Sequence, residues 1–212
     1  MSDSQVFVKN LSEEEKIDIL NFVLNKFELN DKENANNFYN AMVSYIKTVR
    51  RDINTFKFNV DEVLDVFIKC GYNNDQIIEI LTKEPSLLHS DKLDIFWRLL
   101  LFGKVYDTQT NKSVRESYLI QNPRILRISQ DVIYARIKYL ESDDGKLYLR
   151  KENNPTARQV TKLTHNEFKN SYHITKEDLI NKYPFDDKAQ LEVVSWPENM
   201  ELLDNIYKGK TR

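Results

Sequence analysis

Apolar residues recur at helical spacing along most of the chain. Ile17, Leu20, Leu24 and Phe27 fall three or four residues apart, which predicts a helix with one buried stripe. Ser12 precedes that stripe and Glu15 follows three residues later, a pairing in which each side chain satisfies an orphan backbone N–H at a helix start. Phe38, Met42, Tyr45, Ile46 and Val49 predict a second helix over about 33–51. Arg50 and Arg51 suit its end, where the helix dipole favours positive charge. Asn59 with Glu62 predicts the start of a third helix through Val63, Leu64, Phe67 and Ile68, stopped by Gly71 in a left-handed conformation.

The next stretch has regular punctuation. Asn74 is expected to cap a short helix carrying Ile77, Ile78 and Leu81, and Pro85 breaks it because proline lacks the N–H a helix interior needs. Ser90 is expected to cap a helix with Leu93, Ile95, Phe96, Leu99 and Phe102, ended by Gly103. The pattern then returns. Ser113 and Glu116 form another capping pair, Tyr118 and Leu119 precede Pro123, and Ser129 caps a helix with Val132, Ile133, Ile137 and Leu140. A shift of 38 residues carries Leu81 onto Leu119, Pro85 onto Pro123, Leu88 onto Leu126, Ile95 onto Ile133, Arg98 onto Arg136, Leu99 onto Ile137 and Phe102 onto Leu140. A period of this size indicates stacked units, each too small to bury its own apolar face.

Residues 144–163 interrupt the rhythm. They are polar around Leu147, Tyr148 and Leu149, with Pro155 after them, and fit a loop or a short hairpin equally. Thr164 with Glu167, Thr175 with Asp178, and Ser195 with Glu198 and Pro197 mark three further helix starts, with Pro184 halting the second and Gly209 after the third. The expected fold is all-α: a helical-repeat superhelix of two-helix units with a proline break, preceded by an N-terminal helical pair and closed by a C-terminal helical cap. The expected segments are 1–58, 59–142, 143–163 and 164–212.

Composition narrows the function classes. With 41% hydrophobic and 30% charged residues the chain can build a core and is too apolar for disorder. Four glycines are too few for an all-β fold of tight turns. Cys70 is the only cysteine, so no intrachain disulfide forms, and it reads as a small core residue in a reducing compartment. Glu13, Glu14 and Glu15 near the start argue against a secretory or transit peptide, and no apolar run has the length of a membrane span. A cytoplasmic, intracellular location with no membrane association is expected.

Candidate chemistry is sparse. His89, His165 and His173 lack the three- or four-residue spacing of a helical metal site, and Asp143–Asp144 and Asp186–Asp187 are sequence neighbours that do not face one another. No nucleophile elbow, phosphate loop or dinucleotide fingerprint is present. The chain is therefore expected to be non-enzymatic, with no metal and no cofactor. Charge is the feature that stands out. Residues 1–111 carry 13 Lys+Arg against 18 Asp+Glu, whereas 112–169 carry 12 against 7, a reversal from −5 to +5. Arg115, Arg124, Arg127, Arg136, Lys138, Arg150, Lys151, Arg158 and Lys162 are the candidates for contacting a nucleic-acid backbone, since guanidinium matches phosphate geometry. Tyr118, Tyr134, Tyr139 and Tyr148 are the candidates for stacking on bases. The same residues also read as a solvated basic face, and Arg136, which recurs at Arg98, as a structural ion pair between repeats.

The segments GYNNDQIIEILTKEPSLLHSDKLDIFWRLLLFG (71–103) and KSVRESYLIQNPRILRISQDVIYARIKYL (112–140) resemble the mitochondrial transcription termination factor family. The resemblance rests on Pro85 with Leu88, Pro123 with Leu126, Ile95 with Arg98, and Ile133 with Arg136, and it covers roughly 60–140. It implies a left-handed superhelix of repeats, each two helices and a short 3₁₀ turn, and nucleic-acid binding through basic residues along that superhelix. The chain departs from the family in its net charge of −2, its acidic start and its two clear repeats. A protein–protein adaptor on the same scaffold, with the acidic N-terminal half as a second surface, is the other function class the sequence supports.

Overall fold

The computed structural model describes residues 12–27, 32–48, 53–147 and 155–208, and over these the protein is mostly helical. The chain divides into two compact units. The first takes the described residues up to Ile68 together with Tyr72–Lys92, and the second takes residues 69–71 and those from Leu93 onward.

In the first unit, α1 (Glu13–Leu24) begins at the Ser12–Glu15 capping box. Its buried row is Ile19, Val23 and Phe27, one turn apart, whereas Ile17 is 57% exposed. The expected stripe is therefore rotated by part of a turn. Phe27 sets the rotation by meeting Phe38 edge to face at 5.3 Å. Helix α2 (Lys32–Ile46) buries Phe38, Met42 and Ile46. Val49, Arg50 and Arg51 lie outside the described residues. Helix α3 (Ile53–Lys69) begins six residues before Asn59, because Phe56, Val60, Val63 and Phe67 form one continuous buried stripe. A mid-helix Asn costs only about 0.7 kcal/mol against Ala, too little to break that stripe. Ile68 points outward. Gly71 ends the helix at φ +87°, the Tyr72 N–H donates to the Phe67 carbonyl at 3.1 Å, and the two rings touch, which together make a Schellman stop. Helix α4 (Asn74–Lys83) is capped by Asn73, not Asn74, with Gln76 completing the box. Pro85 then opens a 3₁₀ turn, Pro85–His89, that buries Leu87 and Leu88.

The second unit is built around two helices with little exposed surface. Helix α5 (Lys92–Gly103) buries Ile95 and the whole run from Arg98 to Gly103, although Leu93 faces out. Helix α7 (Gln130–Glu141) buries Val132 to Ile137, Tyr139 and Leu140. Helices that bury most of their surface belong in a core. Between them lies an element the sequence reading did not anticipate, a hairpin of β1 (Tyr106–Asp107) and β2 (Lys112–Ser113), pairing Tyr106 with Ser113. Asp107 shapes its turn by accepting from the Gln109 N–H and the Thr110 hydroxyl. Ser113 then caps a π-helical turn, Val114–Tyr118, which runs into α6 (Leu119–Gln121) and the 3₁₀ turn Pro123–Arg127.

After α7 come α8 (Asp143–Lys146), a second π-helical turn at Arg158–Lys162 and α9 (His165–Tyr172), so the expected loop or hairpin over 144–163 holds a helical turn in each of its described parts, with Thr156 bridging Tyr106 in parallel. The unit closes with α10 (Lys176–Lys182), α11 (Asp187–Val194) and α12 (Pro197–Lys208). Asp186 is the cap of α11, and Ser195 ends α11 rather than capping α12.

Candidate anion-binding cleft

Pro123 is the origin of the cleft. It takes the chain out of α6 into a 3₁₀ turn, where residues three apart eclipse. Arg124 and Arg127 therefore share the exposed side while Ile125 and Leu126 enter the core. Ser129 caps α7, its hydroxyl accepting from the Val132 N–H. Val132 and Arg136 follow one turn apart on the same face of α7. The opposite wall comes from later in the chain. Thr161 sits in the second π-helical turn, Thr164 caps α9 ahead of His165, and Lys176 opens α10. These residues, with Ile128 and Leu163, enclose about 370 Å³.

The lining carries Arg127, Arg136, Lys176 and His165, three hydroxyls and no carboxylate. The N-termini of α7 and α9 both open on it. Arg136 is the unusual member. It is only 2% exposed. Its Nη1 donates to the Val160 carbonyl at 2.8 Å, its guanidinium lies over the Phe168 ring, and its Nε is buried without an acceptor. Burial pushes it down to about 10, which still leaves it charged at neutral pH. Desolvation, then the charges of Lys176 and Arg136, hold the His165 imidazole below its usual range. The cleft thus gathers Arg127, Arg136 and Lys176, while the carboxylates of Glu167 and Asp131 accept from its Thr164 and Ser129 hydroxyls and Glu177 acts on His165 from nearby.

The other candidate residues scatter. Arg115 is half-buried and structural, donating to Asn199 Oδ1 at 2.8 Å and to the Glu198 carbonyl at 2.7 Å. Lys138 pairs with Glu192 at 2.8 Å. Arg158 is exposed on the second π-helical turn, and Lys162, also exposed, sits over the Tyr118 ring. Arg150 and Lys151 lie outside the described residues, as does Tyr148. Tyr134 and Tyr139 are buried with their hydroxyls bonded to Glu192 and the Tyr172 carbonyl, so neither offers a face to a base. Tyr118 is likewise buried. The expected stacking platform is corrected accordingly: these rings fill the core.

Sequence reasoning missed His165 and Lys176 because both belong to ordinary capped helix starts. A cation in a first helical turn opposes the dipole, which is the one signal they carry. Among the described residues no group of three His, Cys, Asp or Glu is placed to hold a metal. Burial pushes the Cys70 thiol up to about 12, which keeps it protonated and inert. No helix of the described residues is long and apolar enough to cross a membrane. No family model, curated protein or solved structure matches the chain.

Proposed function

We infer that the protein is a non-enzymatic nucleic-acid-binding module, acting in transcription or another step of gene expression, whose contact surface is the exposed basic face of the second unit around Arg124, Arg127, Arg158, Lys162 and Lys176. The observation that carries this reading is the cleft lined by Arg127, Arg136 and Lys176. Backbone phosphates are the polyanion such a field attracts, and affinity of this kind is largely electrostatic and independent of base sequence. The matching order of helix, proline turn and helix in 74–103 and 119–141 supports the helical-repeat superhelix and the resemblance to termination factors as part of the same proposal.

The test is a titration of duplex and single-stranded nucleic acid at two salt concentrations, with Arg124→Ala and Arg127→Ala beside the parent protein. Binding should weaken steeply with salt, and the salt slope should fall by about one unit for each contact removed. Absence of binding at low salt, or affinity indifferent to both substitutions, would reject it.

A second reading is favoured by a specific feature of the first unit. Between α1 and α2, exposed Ile17 and Tyr39 border a groove of about 170 Å³ with Leu20, Val43 and Ile46. An apolar groove flanked by Glu13, Lys16 and Lys47 suits a helical segment of a protein partner.

A further inference from the structure

The two buried arginines of the repeat are compensated differently. Arg98 and Arg136 lie 38 residues apart on corresponding helices, and each donates Nη1 to a carbonyl of the next short turn, Leu126 at 2.7 Å and Val160 at 2.8 Å. Each leaves Nε buried without an acceptor. There the likeness stops. Arg98 has a carboxylate one turn back: Asp94 Oδ2 lies 2.9 Å from its Nη2, with Gln130 bridging to the other carboxylate oxygen at 3.2 Å. The same shift from Asp94 lands on Val132. Among the described residues no carboxylate pairs with Arg136, and a buried charge without a counter-ion is strongly unfavourable. Val132 lines the cleft together with Arg127, Lys176 and His165.

We propose that this cleft is a phosphoryl-group site, in which an oxyanion from a ligand completes Arg136 as Asp94 completes Arg98. Phosphate fits better than a carboxylate because Arg127, Arg136 and Lys176 bring cations to the cleft from three elements, more donors than two oxygens can use. The site goes beyond the nucleic-acid reading, since free phosphate would occupy it equally.

The experiment uses the full chain and inorganic phosphate, with chloride at matched ionic strength as the reference. Thermal unfolding and the Nε–H resonances of the arginine side chains are the readouts. Phosphate should raise the unfolding temperature progressively, as a ligand of the folded state does, and shift the Arg136 Nε–H signal saturably. Val132→Asp supplies the internal carboxylate and should abolish both responses. Lys176→Glu, at an exposed position, should weaken apparent phosphate affinity by roughly tenfold or more, and it decides the matter if Val132→Asp does not fold. A parent protein that responds to phosphate only as it does to chloride, or variants that respond as the parent does, would overturn the proposal. Short oligonucleotides with and without a 5′-phosphate then identify the source. Competition with inorganic phosphate by the phosphorylated strand places the group on nucleic acid. Saturable phosphate binding with no oligonucleotide competition supports the site for a free anion and counts against the proposed function alone.

Discussion

Two stretches of this chain, 81–102 and 119–140, run through the same sequence of events and end with different surfaces. In each, a buried leucine precedes a proline, a 3₁₀ turn buries a second leucine, and a mostly buried helix follows. Leu81 and Leu119, Leu88 and Leu126, Ile95 and Ile133, Leu99 and Ile137, and Phe102 and Leu140 are all fully buried. The positions between them diverge. Asp94 gives way to Val132, and His89, the last residue of the first turn, to Arg127. One stretch pairs its buried arginine with Asp94; the other sets Arg136 beside a cleft. The apolar positions of the two stretches match, because packing tolerates little change there, while the place of Asp94, which pairs with Arg98, is taken by Val132 on the wall of a cleft.

The largest expected effect tests the constant part. Leu88→Ala and Leu126→Ala should each cost about 2–5 kcal/mol in denaturant unfolding, the usual range for emptying a buried leucine site. A cost below about 1 kcal/mol at either position would break the equivalence of the two turns. The divergent part comes next. Asp94→Val makes the first stretch like the second by removing the carboxylate from Arg98. Because Asp94 is partly exposed, with its side chain 41% accessible, the loss should be about 1–2 kcal/mol, below the range for a fully buried pair. Val132→Ala at the corresponding position removes no ionic partner and should cost only what its lost packing costs. A double-mutant cycle of Asp94→Val with Arg98→Met should show coupling; an additive result would mean the pair contributes nothing and the contrast with Arg136 is empty.

Much of this skeleton could be read from spacing, and the reasons are local. The capping boxes at Ser12, Ser113 and Thr164 form as expected because both partners lie within four residues. Gly71 and the two prolines act through their own backbone chemistry. What escaped was set by distant residues. The burial of Ile19 rather than Ile17 depends on how Phe38 meets α1. The hairpin at 106–113 has two-residue strands, too short for any alternation to show, and depends on the Asp107 side chain. Of the basic candidates, Arg127 and Arg136 reach the cleft, while Arg115 and Lys138 are taken up by Asn199 and Glu192, some 54 or more residues later. Their fate turned on helices α11 and α12. His165 and Lys176 reach the cleft only because α9 and α10 pack beside α7, which no neighbouring residue announces.

The smallest effect concerns the position where the first turn has His89 and the second Arg127. His89 meets the Tyr45 and Phe56 rings edge to face at 5.2 and 5.3 Å. Burial holds its imidazole below the ordinary value. The unfolded chain takes up the proton first, near pH 6.5, while the folded chain resists it. Between those two pKa values the unfolded state binds more protons, so stability falls as pH drops below about 6.5 and levels once the folded imidazole also titrates. His165 is depressed as well and adds a slope of the same sign. Unfolding free energies measured from pH 8 to pH 5 should therefore decline toward acid. His89→Phe, which keeps an aromatic edge between the two rings, should remove part of that slope. Arg127→Gln should leave it unchanged, since a guanidinium does not titrate in this range. A slope identical in the parent and His89→Phe, or a stability that rises toward acid, would show that the first turn does not enclose its histidine in the neutral form. The contrast between a closed turn and an open one would then lose its clearest residue.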